Sequence, residues 1–287
     1  MTRRRKNMQP SNDFRNLSQN FWAYVRLIGQ EVGYTNRKTK QIIVPTQKKI
    51  EQTFKKIGLN CDELFPTGTP SELGDKLLKY FQYRADTLNN QVEPLLMDGA
   101  EAEKMYKRLK ATIKIPKSKS APPAPMNKQK GTKKKPAFFT CMINLLIARE
   151  LGFTECDYDP RKLACFASDG HPVRTFSRRL DGAFPGVLNP KAVWEIKEYY
   201  HTTTFGSRVA DGVYETLLDG SEFQEMLSTE KRKCYHYLFV DAKYTWWNCG
   251  KSYLCRLMDM MHMGFVDEVI FGKEIEQRIP AIVSDWK

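Results

Sequence analysis

The sequence predicts an α/β protein: a mixed sheet flanked by helices, preceded by a mainly α-helical N-terminal region. Three observations predict it. Apolar residues recur at helical spacing through much of residues 13–112. Beyond residue 136, helical stretches alternate with short runs rich in Val, Ile, Phe and Tyr, in the order α-β-β-α-β-α-β. Between them lies a break, residues 113–136 (IKIPKSKSAPPAPMNKQKGTKKKP), where proline, lysine and small residues offer nothing to build a core. The 287-residue chain is thus divided into a helical region 1–112, a basic linker or loop 113–136, and a second domain 137–287.

The first ten residues read as a flexible basic arm. Residues 13–32 place Phe14, Leu17, Phe21, Tyr24, Val25 and Ile28 on a helical stripe. Thr46 is positioned to cap a helix running to Leu59, with Ile50, Phe54 and Ile57 on one face. Residues 71–92 (Leu73, Leu77, Leu78, Phe81) and 99–112 give two further helices. After the break, residues 137–151 (AFFTCMINLLIAREL) read as a helix ended by Gly152. Residues 174–200 read as a strand, a Gly/Pro turn and a second strand. Then come a helix over 209–231, a buried strand over 235–241, a helix over 251–263 stopped by Gly264, and a strand over 266–271. Methionines 258, 260, 261 and 263 fall in that last helix and suit a core or a dimer interface.

Composition excludes several classes. Hydrophobic content of 41% supports a packed core and argues against global disorder. Seven scattered cysteines, an odd number without a CxxC pair, support neither a disulfide framework nor a zinc site, and point to a cytoplasmic protein. No run approaches the roughly 18 apolar residues of a membrane span, and the basic start lacks the apolar stretch of a signal peptide. Net charge is +13, and it is unevenly placed. Residues 1–135 hold 28 Lys or Arg against 12 Asp or Glu; residues 136–287 hold 18 against 21. From Lys104 to Arg149 there are 13 basic residues and no acidic one. Such a field favours a polyanion, most simply nucleic acid, with Lys133, Lys134 and Lys135 as phosphate contacts.

The segment RTFSRRLDGAFPGVLNPKAVWEIKEYY carries the chemistry. Asp181 is expected to end the first strand. Glu195 and Lys197 lie on one face of the second, while Ala192, Trp194 and Ile196 fill the other. Charges on a strand with an apolar back are costly unless they have a function. Two carboxylates and a lysine gathered by a hairpin suit a hard divalent cation and a polarised water. The preceding helix offers a further carboxylate, Glu150, and Arg178 and Arg179 approach the same edge as phosphate contacts.

Asp181, Glu195 and Lys197, with the hairpin between them and the helix and strand that follow, resemble the PD-(D/E)XK nuclease superfamily over roughly residues 137–272. Leu180 stands where the motif's name places proline. The resemblance implies a restriction-endonuclease-like αβββαβ core. It implies Mg2+ held by Asp181 and Glu195, a water oriented by Lys197, and Glu150 assisting. The implied activity is cleavage of double-stranded DNA at a short specific sequence, as by a type II restriction endonuclease. Two copies would cut both strands of a palindrome, so a homodimer is expected, with a cognate DNA methyltransferase in the same system. Alternatives are a repair, recombination or phage-type nuclease on the same fold, or a DNA-binding protein without catalysis.

Other features compete less well. Asp241-Ala242-Lys243 is a second (D/E)-x-K triplet but lacks an Asp at hairpin distance upstream; Lys243 is an alternative DNA contact. Gly250-Lys251-Ser252 has no Gly-rich run before it, which rules out a phosphate loop. Tyr244, Trp246 and Trp247 suit packing first and base contact second, and His201, just past the triplet, a structural place first.

Overall fold

A computed structural model describes residues 9–201 and 206–286. The basic arm over the first eight residues and the Lys133 side chain lie outside the described residues. The chain is a mixed α/β protein. A four-stranded mixed sheet has the order β3 (Gly182–Phe184), β4 (Ala192–Glu198), β5 (Tyr235–Asp241), β6 (Glu268–Phe271). The β3–β4 pair is antiparallel; β4–β5 and β5–β6 are parallel. Helices α6 (Ser207–Glu230) and α7 (Lys251–His262) make the two crossovers. A separate antiparallel pair, β1 (Cys165–Ser168) and β2 (His171–Thr175), stands apart.

Strand alternation divides the sheet's side chains between two layers. Ala192, Trp194, Tyr237, Phe239 and Ile270 pack against α5 (Phe138–Glu150) and α8 (Ile275–Ser284). Leu238, Val240, Val269 and Phe271 pack against α7, and Val193 packs against Phe223 and Met226 of α6. Helix α5 is apolar on all sides because it is covered on all sides: by the sheet, by α8, and by α4 (Gly99–Thr112) through Ala102, Met105 and Leu109. Its N-cap residue, Ala137, offers no side-chain acceptor. Glu198 at the end of β4 supplies one instead, accepting from the Thr140 N–H at 3.0 Å and the Thr140 hydroxyl at 3.1 Å.

Helices α1 (Gln19–Val32), α2 (Gln47–Lys56) and α3 (Glu72–Thr87) form a core of their own around Phe21, Trp22, Ile50, Phe54, Leu77 and Phe81. Ser18, Thr46 and Ser71 cap them, each accepting from a backbone N–H three residues on. This region locks onto α7 by a buried ion pair. Arg84 Nη1 donates to both oxygens of Asp259, at 2.9 and 3.0 Å, and the Tyr80 hydroxyl donates to the same carboxylate at 2.6 Å. Helix α4, grouped by its sequence position with the N-terminal region, packs instead in the cluster of α5. Its apolar stripe matches that neighbour, and the lysine-rich break follows it rather than dividing the two cores.

Two differences concern the hairpin. Residues 177–181 are irregular, so Asp181 does not end a strand; it immediately precedes the three-residue β3, which stops at Pro185. The β1–β2 pair and α8 also go beyond the order read from sequence. All seven cysteines are free, and among the described residues no helix is long and apolar enough to cross a membrane.

Candidate active site

Strand β4 carries the site. The register that pairs Gly182 with Trp194 sets the preceding Asp181 opposite Glu195. Asp181 is fixed there twice. Its N–H donates to the Trp194 carbonyl at 3.1 Å, and its Oδ2 accepts from the Ile196 N–H at 2.8 Å. Its carboxylate therefore sits against the backbone between Glu195 and Lys197. Helix α6 packs over the same face and adds Glu215 and Asp219, one turn apart. The Lys197 stem lies against Gly212 of that helix, its Cδ and Cε 3.3 Å from where a Cβ would stand.

The charges form one network. Lys197 Nζ donates to Glu195 Oε2 and Glu215 Oε2, both at 2.8 Å. Arg178 Nη1 donates to Glu195 Oε1 at 2.9 Å and Asp219 Oδ2 at 2.7 Å, and its Nη2 to Glu215 Oε2 at 3.3 Å. Four carboxylates, counting Asp181, thus meet two cations, an excess of two negative charges when all four are ionised. Glu195 and Asp219 are each only 1% exposed. Among the described residues, Asp219 Oδ1 has no hydrogen-bond partner.

Burial and like charge set the acidities. Burial would raise the Glu195 carboxyl, but Lys197 and Arg178 outweigh it and hold the group below its ordinary value. Burial would lower the Lys197 ammonium, but Glu195 and Asp181 hold it charged, above the ordinary lysine value. Asp181 opens to solvent but lies in a concavity walled by protein. Desolvation, then the Glu195 charge, push it up to about 6. Burial pushes Asp219 up to about 7 despite Arg178.

Asp181, Glu195, Lys197, Arg178 and Glu215 line a cleft of about 1020 Å3 at the carboxyl end of β4. Arg179, Lys128 and His201 line it as well. One wall is the 113–136 segment, where Pro123, Pro125 and their neighbours to Gln129 border the cleft. Hydrogen bonds moor that wall to α5: Asn144 Nδ2 donates to the Pro123 carbonyl at 3.0 Å, and the Ala137 N–H to the Pro125 carbonyl at 2.9 Å.

Residues 97–286, about two thirds of the chain, match the family model described as Domain of unknown function (DUF7687). The chain belongs to that family. A second model, Domain of unknown function (DUF7690), matches residues 8–91. No curated protein and no solved structure matches the chain. The site lies wholly within the DUF7687 domain.

Other residues picked out from the sequence take different places in the DUF7687 domain. Glu150 sits at the far end of α5, away from the cleft lining, and pairs with Arg149 at 2.5 Å. The 13-residue helix carries its last turn away from the strand end that its first turn abuts. Arg178 lines the cleft but commits its guanidinium to carboxylates. Lys134 and Lys135 are exposed and border no part of the cleft; Lys135 pairs with Glu103 at 3.2 Å. The second triplet is structural. Asp241 is fully buried and accepts from the Met97 N–H and Ala242 N–H, both at 2.8 Å, and from the Tyr200 hydroxyl. Lys243 stands 3.8 Å from Glu93. Trp246 and Trp247 are core residues, whereas Tyr244 is exposed.

Sequence reasoning missed Glu215 and Asp219. Their signal is the spacing Asp211, Glu215, Asp219, which stacks three acids on one helix face. Among the described residues, no three His, Cys, Asp or Glu side chains gather in a metal-holding arrangement. The donor set still fits a hard divalent ion in type and charge: carboxylate oxygens only, more acidic groups than basic ones, and, among the described residues, one buried oxygen without a partner.

Proposed function

We propose that the chain is a Mg2+-dependent endonuclease hydrolysing phosphodiester bonds of double-stranded DNA, on a core of the PD-(D/E)XK kind. The observation that carries the reading is the convergence of Asp181, Glu195 and Lys197 at one edge of a cleft, on a hairpin. The order α5, β3–β4 hairpin, α6 and a parallel β5 supports the same reading. Arg179 and Lys128 at the cleft, and the basic surface of residues 104–135, suit a polyanion.

Asp181 and Glu195 would hold the ion. When bound, it would neutralise charge building on the phosphate and acidify a nearby water. Lys197, held charged by its acidic neighbours, would place positive charge beside the scissile phosphate and orient the attacking water. Arg179 and Lys128 would grip flanking phosphates. Cutting at a short specific sequence by a homodimer, alongside a cognate methyltransferase, belongs to the same proposal and follows the type II restriction enzymes.

One digest tests the reading. Supercoiled plasmid incubated with the protein and Mg2+ should give discrete fragments. Lys197→Ala should lower the cleavage rate by about 10² or more while DNA binding stays within about twofold. A smear, or preference for branched or terminal DNA, would favour the repair and recombination class. A second reading, nucleic-acid binding without catalysis, is favoured by one observation: both Glu195 oxygens are already paired. Salt-dependent binding with no cleavage in Mg2+ or Mn2+ would establish it.

A further inference from the structure

We propose that Arg178 is the resting cation of this site, competing with the divalent ion for Glu195 and Asp219 and released towards the cleft when the ion binds. The inference rests on the metal-site reading above. Glu195 is buried, and each of its oxygens already accepts from a cation, Arg178 at Oε1 and Lys197 at Oε2. An ion that approaches that carboxylate meets a positive charge at each oxygen, and one of the two must give way for it to sit close.

The two cations are not equally free to leave. Lys197 rises from near the carboxyl end of an internal strand, its stem is pressed against Gly212, and its ammonium spans Glu195 and Glu215. Arg178 comes from the irregular stretch between β2 and β3, its side chain is 22% exposed, and it lines the cleft. The stretch itself is anchored by its neighbours, so the side chain can swing without the backbone following. The Ser177 N–H and hydroxyl donate to Glu222, and Leu180 is buried.

The contacts made by Arg178 also resemble those of an ion. One nitrogen is shared between Glu195 and Asp219, and the other reaches Glu215, so three carboxylates from two elements converge on one guanidinium. With Lys197 also paired to Glu195 and Glu215, two positive charges face these three carboxylates, one short when all are ionised. The symptom is Asp219 Oδ1, an oxygen in a residue 1% exposed that meets no donor among the described residues. A doubly charged ion satisfies both deficits. The displaced guanidinium is then left beside Arg179 at the cleft, where a substrate phosphate replaces the carboxylates as its partner.

The test is metal binding, read without catalysis. Mn2+ titrated calorimetrically into the full chain should bind Arg178→Gln about tenfold more tightly than wild type, as removal of a competitor predicts. In the wild-type chain, phenylglyoxal labelling of Arg178, mapped by peptide mass, should rise on adding Mn2+; this needs no variant and holds if Arg178→Gln fails to fold. Equal Mn2+ affinity in both chains, or labelling of Arg178 unmoved by Mn2+, would overturn the competition and leave the metal site standing. Weaker binding by Arg178→Gln would make Arg178 a support for the ion instead. No Mn2+ binding by either chain would remove the metal-site reading and this inference together.

Discussion

A Cβ built at Gly182 would lie 2.0 Å from Cε2 of Trp194. The indole cannot retreat, because it is fully buried and stacks on Trp286 with ring centroids 5.6 Å apart at an interplanar angle of 8°. Glycine at this position is thus what lets the chain after Asp181 lie flat on β4, and Asp181 takes its place opposite Glu195 as a result. Gly182→Ala is expected to cost about 2–3 kcal/mol, the usual penalty for overpacking a filled core, read as a lower urea midpoint with unchanged slope. Restoring space with Trp194→Phe in the same chain should recover part of the loss, since the two positions touch. This constraint is invisible in the sequence, where Asp-Gly reads only as a turn signal. The Glu195–Lys197 pair was legible, because period-two alternation fixes which side chains share a face. Glu150 was misplaced because helical reading gives a residue's face but not which end of the helix meets the strand.

Strand β5 shows what a strand end can hold. Asp241 accepts three hydrogen bonds, from the 97 and 242 backbones and from Tyr200, which ties the ends of β4 and β5 to the start of the α4 segment. Ala242, the next residue, is held at a φ of 127°, a conformation that costs a non-glycine residue energy. Burial pushes the Asp241 carboxyl up to about 8 from its ordinary 3.8, against those donors. The folded chain therefore keeps a proton that the unfolded chain releases. The stabilisation from that proton is full below pH 4 and is lost as pH rises through about 8. Asp241→Asn, which does not titrate, should flatten the fall in melting temperature between about pH 4 and 8; an unchanged slope would mean that Asp241 is ionised in the fold. From sequence, Asp241-Ala242-Lys243 follows the same (D/E)-x-K pattern as Glu195-Ile196-Lys197. Only three-dimensional neighbours tell them apart: Asp241 points at backbone donors, whereas Glu195 points at cations and a cleft. The same limit hid Glu215 and Asp219, whose relevance arises when α6 crosses over β4.

Across the whole molecule, three layers and a helical cap share one buried junction. Arg84 is 2% exposed, and Asp259, its carboxylate partner, serves Tyr80 as well. Asp259→Ala should cost about 3–5 kcal/mol by stranding a buried guanidinium. Because the junction couples both cores, thermal unfolding of wild type should be a single transition, and that of Asp259→Ala should separate into two. The alternation of helical and strand patterns was enough to read the class of the fold. The partition at residues 113–136 was drawn where composition changes, although this segment serves as a wall of the cleft rather than a divide. The two matching family models leave a gap at residues 92–96, where α3 loosens into a π-turn (Leu88–Val92) and a single 3-10 turn (Glu93–Leu95) before α4 begins. Leu88, Val92 and Leu96 at this joint are buried in the core that α7 shares with the sheet. The boundary between the two families therefore runs through packed core, and any change of cap at this joint must keep those three side chains seated.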